Sequence, residues 1–288
     1  MSVTPILLLI FNRPDETRSV IDSLRVVKPP VLLIAADGPR TIEDVAPCNA
    51  TRELVRTIDW PCQVLLNFSQ ANLGLRRRIE SAITWALEVS GRVIVLEDDC
   101  VADPTFFDYC DTLLEYYADD KRIMAISGDN FQFGQSPIEH SYYFSKYPHC
   151  WGWATWKRAW ELYDTDMRLW PHLKAVSWLF DACGDPSEAR YWTQVFTATH
   201  AGQVDSWAYR WTYSCWVNSG FTILPRHNLV SNIGFGGAAT HTQAASPLAN
   251  MATAPLKFPL RHPPAMLRHI MADNFYARRC LPAPGLSY

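Results

Sequence analysis

At 288 residues, 48% of them hydrophobic and 19% charged, the chain can bury a substantial core and is not a disordered polymer. A formal net charge of −3 gives no reason to expect polyanion binding, so nucleic acid is excluded as an expected partner. Residues 1–5 carry no basic n-region and the first apolar run stops after residue 11. No stretch approaches the roughly 20 apolar residues of a spanning helix, so a cytoplasmic protein is expected, with no transmembrane segment and at most a peripheral position at the inner membrane face.

Residues 6–11 form the first predicted strand. Asn12-Arg13-Pro14-Asp15-Glu16 then reads as a helix start, with proline near the first position and two acids in the first turn. Val20, Ile21, Leu24 and Val27 supply the apolar face of that helix. A second strand, 31–36, ends at Asp37-Gly38-Pro39-Arg40, and a third, 64–68, ends near Asn72-Leu73-Gly74. Leu75, Ile79, Ile83 and Leu87 recur at every fourth position of the next helix. Residues 93–96, Val-Ile-Val-Leu, read as a strand buried on both faces and run straight into Glu97-Asp98-Asp99. A helix carrying Phe106, Phe107, Cys110, Leu113, Leu114 and Tyr117 leads to a fifth strand over 122–126. This alternation predicts an α/β protein with a mostly parallel, doubly wound sheet.

After Gly128 the character changes. Ten of the twelve tryptophans lie between Trp151 and Trp216, and the segment from 246 onward is rich in proline. The expected organisation is one domain over 1–245, with a first half to about 127 and a second from about 128. A tail, 246–288, should lie over the domain in extended segments with one short helix near 266–272. The eight cysteines show no C-x-x-C pair, which argues against a thiolate zinc site and for reduced thiols.

Neither G-x-G-x-x-G nor G-x-x-x-x-G-K-[ST] follows a strand, so a dinucleotide fold and a P-loop NTPase are disfavoured. What remains is a set of polar residues at successive strand ends: Asn12, Arg13, Asp37, Asn72 and the acidic triplet. Three adjacent carboxylates repel one another, and their place at a strand end suggests that a cation gathers them. Their hard oxygens suit Mg²⁺ or Mn²⁺ shared with substrate phosphates, at the sheet edge where open α/β folds bind ligands. The simpler reading is an acidic turn that caps the next helix. Asp37 can accept hydrogen bonds from a base N–H or a ribose hydroxyl, or can serve only the Asp-Gly-Pro turn. Arg76-Arg77-Arg78 opens a helix against its macrodipole, an arrangement that a bound diphosphate would make favourable; Arg76 is the candidate phosphate contact.

Val-Leu-Glu-Asp-Asp followed by Pro-Thr-Phe-Phe-Asp-Tyr resembles the metal-binding segment of GT-A glycosyltransferases, particularly the N-acetylglucosaminyltransferase I type, whose acidic triplet replaces Asp-x-Asp. Asn72-Leu73-Gly74 with its arginine-rich helix is similar to the family 2 glycosyltransferase pattern, and the order of motifs agrees with a GT-A nucleotide-sugar half over 3–130. Gly152-Trp153, Asp205-Ser206-Trp207 and Asn232-Ile233-Gly234-Phe235 resemble bacterial sugar transferases of this group. The resemblance implies a nucleotide-diphosphate sugar donor, with a UDP-sugar expected, and a saccharide or lipid-linked saccharide acceptor. Asp99 would be the direct metal ligand, with Glu97 and Asp98 orienting ribose, sugar or metal-bound water.

Inverting members of such a family need a general base, for which Asp205 is the candidate. An N-cap role at the helix that follows is the alternative for Asp205, and Asp129, Asp164 and Asp166 are alternatives for the base. The tryptophans suit either sugar stacking or ordinary packing. Trp153 and Trp207, beside glycine and aspartate, are expected to be exposed acceptor residues. The glycine-rich stretch 234–240 leads to His241, which either completes the metal shell of a closing loop or lies at the surface. The reading is a metal-dependent, inverting glycosyltransferase. Its rivals are a retaining enzyme, a sugar nucleotidyltransferase and a non-catalytic carbohydrate-binding protein.

Overall fold

The computed structural model describes residues 3–135, 138–235 and 247–281. Three parallel strands and two helices alternate at the start of the chain: β1 (Ile6–Ile10), α1 (Pro14–Val27), β2 (Val31–Ala36), α2 (Ile42–Glu53) and, after a 3₁₀ turn at Leu54–Thr57, β3 (Gln63–Phe68). They are followed by α3 (Leu75–Ser90), β4 (Arg92–Glu97), β5 (Cys100–Ala102), α4 (Thr105–Tyr116) and β6 (Ile123–Ser127). Pro14 at the start of α1 and the acids Asp15 and Glu16 in its first turn match the helix signal in the sequence. α2 carries Pro47 in its interior and few apolar residues on a common face, which is why periodicity alone does not reveal it.

The second half supplies β7 (Tyr142–Ser145), β8 (Trp153–Trp156), α5 (Lys157–Trp160), α6 (Trp170–Ala175), α7 (Trp178–Cys183), α8 (Pro186–His200), α9 (Trp207–Val217), β9 (Phe221–Pro225), β10 (Val230–Asn232) and α10 (Ile270–Cys280). Eight strands form one mostly parallel sheet in the order β3-β2-β1-β4-β8-β6-β9-β7. β1 pairs in parallel with β2 and β4, so Ile10 lies opposite Ala36 and Leu9 opposite Glu97. The chain therefore emerges toward Arg13, Asp37 and Asp99 at one edge. β8 enters antiparallel between β4 and β6, so strands from both halves of the sequence share this sheet. β10 pairs with β5 in a small second sheet that sets Asn232 opposite Cys100.

Alternate side chains of each central strand feed two cores. Ile6, Leu8, Ile10, Ile94 and Leu96 face the layer that holds Phe106 and Phe107 of α4. Leu7, Leu9, Val93 and Val95 face α3 and a tryptophan-rich layer with Trp153, Trp160, Trp207, Trp211 and Trp216. The expectation that Trp153 and Trp207 are exposed is overturned: they are 1% and 3% exposed and stack on each other at 5.6 Å. Trp153 lies on the inserted strand β8 rather than in a loop, and Gly152 reports a close approach instead of an open turn. Gly152 has φ 69°, and a Cβ there would stand 2.6 Å from Val230 Cγ2.

The tail crosses several elements. Asn250 N–H donates to the Asn232 carbonyl, Leu256 N–H to Thr105 Oγ1, and His269 N–H to the Phe144 carbonyl. The last of these, with the Phe144–Arg268 bridge, covers the outer edge of β7. The tail helix starts at Ile270, with His269 Nδ1 accepting the Ala272 N–H, so it lies later than the expected 266–272. It buries Asp273, which accepts from Ser145 Oγ at 2.5 Å and Lys146 N–H at 3.3 Å and pairs with Arg268 at 3.0 Å. All eight cysteines are free thiols. Among the described residues no helix is long and apolar enough to cross a membrane.

Candidate active site

β4 delivers the acidic triplet to the carboxyl edge of the parallel strands, where Asp98 and Asp99 are both buried. The β1–α1 connection places the Arg13 guanidinium against them, with Nη1 2.7 Å from Asp99 Oδ2 and 3.7 Å from Asp98 Oδ1. On the other side β10 presents Asn232, whose Nδ2 donates to Asp99 Oδ1 at 3.3 Å. Ile233 N–H donates to the Asp99 carbonyl, and Gly234 N–H to Asn232 Oδ1. Gly234 closes so tightly that a Cβ there would stand 2.0 Å from Asp99 Oδ2 and 2.7 Å from Arg13 Nη1. Only glycine fits.

Burial, then the repulsion of Asp99 and Asp98, pushes the Glu97 carboxyl up to about 8. Burial also pushes Asp98 up to about 7, against the pull of Arg13. Desolvation works against the Arg13 charge, but Asp98 and Asp99 outweigh it and its pKa rises. The cluster is thus short of positive charge even with Arg13 in place. Among the described residues no group of three or more His, Cys, Asp or Glu is arranged to hold a metal. The donors instead fit a Mg²⁺ or Mn²⁺ that takes one or two carboxylate oxygens and completes its shell with phosphate and water. His241 lies outside the described residues.

Asp37 ties two loops together. Its carboxylate accepts from Gly38 N–H at 2.9 Å, Leu73 N–H at 2.9 Å, Gly74 N–H at 3.1 Å and Asn72 Nδ2 at 3.1 Å. Asn72 Nδ2 also donates to the Gly38 carbonyl at 2.7 Å. Asp37 and Asn72 thereby set the path of the chain into α3. Asn12 Nδ2 donates to Asp44 Oδ1 at 2.6 Å, and Arg40 pairs with the same carboxylate at 2.9 Å. Those bonds, Arg40's first, hold the Asp44 carboxyl down at about 2.

The three arginines of α3 separate. Arg76 Nε donates to Asp205 Oδ1 at 2.6 Å, and its Nη1 reaches Thr165 Oγ1 at 3.1 Å and Glu80 at 3.3 Å. Arg77 is exposed, and Arg78 is buried against the Asn67 carbonyl, where desolvation lowers its pKa. Asp205 has a side chain 61% exposed and does not cap α9; Ser206 does, accepting from Tyr209 N–H. Of the alternative acids, Asp164 accepts from Arg168 N–H at 2.8 Å and Asp166 is exposed. Asp129 is fully buried, with Oδ2 accepting from Trp151 N–H at 3.1 Å and Oδ1 without a hydrogen-bond partner. Burial pushes its carboxyl well above the usual range. Trp151 packs edge-on against Phe235 at 5.4 Å, next to Gly234, and against Phe131 at 5.4 Å, giving this edge an aromatic wall. His149 joins that wall 4.6 Å from Phe131, its pKa pushed down to about 3 by burial.

Asn232 and Gly234 are the residues whose roles sequence reasoning missed. The Asn-Ile-Gly-Phe motif drew attention to their segment, but not to its contact with Asp99.

The fold and its edge define an α/β protein with an eight-stranded central sheet and an acidic, arginine-bearing edge at the ends of its parallel strands. No family model matches the chain, and no curated protein matches it. Among solved structures it is similar to GalNAc-T7 with UDP, GalNAc and Mn²⁺, at 9% identity and a TM-score of 0.47, over 85% of this chain and 46% of that one. The chain thus spans less than half of that structure. It is similar to mouse xyloside xylosyltransferase 1 at 13% identity and a TM-score of 0.32, over 74% of this chain and 81% of that one. A cytidylyltransferase from Leptospira borgpetersenii matches at 13% identity and a TM-score of 0.32, over 55% of this chain and 61% of that one.

Proposed function

We propose that the chain is a GT-A-type glycosyltransferase that moves a sugar from a nucleotide-diphosphate donor, a UDP-sugar, to a saccharide or lipid-linked saccharide acceptor. The observation that carries this reading is the convergence of Glu97, Asp98 and Asp99 with Arg13 at the carboxyl edge of β1 and β4. In this reading residues up to about 127 bind the donor, residues 128–245 bind the acceptor, and the tail supports both. Asp99 would hold Mn²⁺ or Mg²⁺, which would supply positive charge to offset that of a leaving diphosphate. Glu97 and Asp98 orient the ribose or the sugar. Asp37 and Asn72 shape the nucleotide pocket through the loops they join, Asn12 orders the β1–α1 turn, and Arg13 faces the diphosphate.

Asp205 takes the acceptor proton in an inverting displacement, and Arg76, bonded to it at 2.6 Å, is a positioning residue. His241 is assigned as a further metal ligand in this reading. Trp151 and Phe235, half-buried beside Gly234, take the sugar-facing place first expected of Trp153 and Trp207.

The test is a thermal-shift and hydrolysis panel of UDP-, GDP- and dTDP-sugars with and without Mn²⁺. Metal-dependent stabilisation by a uridine donor, with slow release of UDP, supports the transferase. Formation of a sugar nucleotide from a nucleoside triphosphate and a sugar 1-phosphate would make it a nucleotidyltransferase instead. Saccharide binding with no response to nucleotide and metal would leave a carbohydrate-binding protein.

A further inference from the structure

Asp99 has two carboxylate oxygens, and both are engaged. Arg13 Nη1 holds Oδ2 at 2.7 Å, while among the described residues Oδ1 receives the longer contacts of Asn232 Nδ2 at 3.3 Å and Cys100 Sγ at 3.5 Å. A second cation at Asp99 would share Oδ2 with the guanidinium or sit beside it, and two cations so close repel. Gly234 backs the pair at a distance that leaves no room even for a methyl group. Arginine cannot discharge by losing its proton, so it yields the position only by moving.

The Arg13 backbone is fixed, because its carbonyl accepts from Thr17 N–H at 3.0 Å and from Thr17 Oγ1 at 2.7 Å. Among the described residues its side chain is held only at the tip, and it is 19% exposed, so it can swing without disturbing β1 or α1. A guanidinium fork released there matches a diphosphate in charge and shape.

We propose that Arg13 is a resident cation that occupies the divalent-ion position at Asp99 in the ligand-free protein and moves onto the donor diphosphate when metal and donor arrive. Metal and nucleotide then bind as one coupled event, and each alone binds weakly. This rests on the transferase reading above.

Isothermal titration of Mn²⁺ alone, UDP alone and both together tests it on the wild type, Arg13→Gln and Arg13→Lys. In the wild type, UDP should tighten Mn²⁺ at least tenfold, and Mn²⁺ should tighten UDP by the same factor. Arg13→Gln should bind Mn²⁺ alone roughly tenfold more tightly than the wild type, with the coupling largely gone and the UDP–Mn²⁺ complex weaker. Arg13→Lys keeps the charge but not the fork, so Mn²⁺ alone should stay weak while the coupling falls severalfold. A folded Arg13→Gln with wild-type affinity for Mn²⁺ alone overturns the proposal. If that variant does not fold, undiminished coupling in Arg13→Lys overturns it. Wild-type protein with no metal-dependent nucleotide binding would instead defeat the transferase reading itself.

Discussion

The acidic edge and the tryptophan layer lie on the same sheet and are built on opposite terms. At the edge, Asp98, Asp99 and Glu97 are brought together against their own repulsion and held by a single arginine and an asparagine. In the layer, the ring of Trp153 packs at 5.6–6.4 Å against Trp207, Trp211 and Trp160, and Trp160 lies 5.3 Å from Trp211. Burial of large rings stabilises; burial of like charges costs stability and is kept where a ligand can repay it. A substitution at the edge should therefore damage function and spare the fold, and one in the layer should do the reverse.

Asp99→Asn is the sharpest probe of that division. It should abolish metal-dependent nucleotide binding in calorimetry while the melting temperature of the free protein changes little, because relief of the carboxylate crowding offsets the loss of the Arg13 pair. Normal Mn²⁺–UDP binding by this variant would remove the edge from the functional account. Trp153→Ala should do the opposite, costing about 3–5 kcal/mol of unfolding free energy in a urea titration. Any Trp153→Ala protein that stays folded should keep the acceptor KM of the wild type. A selective rise in that KM would restore Trp153 as a sugar-facing residue.

Asp205→Asn tests the border between the two regions. As the loss of a general base it should slow transfer on the order of 10²-fold at near-normal donor affinity. Since Ser206 is the cap of α9, stability should barely change. Unimpaired turnover would leave Asp205 as a surface partner of Arg76.

The smallest effect is a pH slope in the tail. Burial raises the Asp273 carboxyl from 3.8 to about 6, against the favourable contacts of Ser145, Arg268 and Lys146. Between those values the folded chain keeps a proton that the unfolded chain has lost, so stability should fall as pH rises through this window. The contribution is at most about 1.4 kcal/mol per pH unit. Asp273→Asn should remove the slope, and chemical denaturation at pH 4, 5 and 6 would reveal a slope that persists. Asp44 has the opposite sign. Its carboxyl is held at about 2, so its stabilising contribution is complete above about 4 and should be lost as pH falls toward 2.

Much of the first half was legible because its signals are local. The apolar run 93–96 announces a two-faced strand and Pro14-Asp15-Glu16 a helix start; both depend on residues within one or two turns of each other. α2 escaped notice because Pro47 and its polar surroundings blur its period. Trp153 and Trp207 were misread for a related reason. A glycine or aspartate neighbour marks a change of direction, but does not say whether solvent or another strand lies beyond it.

The sequence by itself determined the alternating strands and helices and the placing of Arg13, Asp37 and the acidic triplet at strand ends, since parallel pairing then puts those ends on one edge. Tertiary structure alone decided what meets there. Arg13 and Asp99 are 86 positions apart, Asn232 and Asp99 133, and Arg76 and Asp205 129. The first contact comes from the parallel pairing of β1 with β4, the second from the β5–β10 pairing and the third from the packing of α3 against α9; all depend on the assembled fold and leave no periodic trace in the chain.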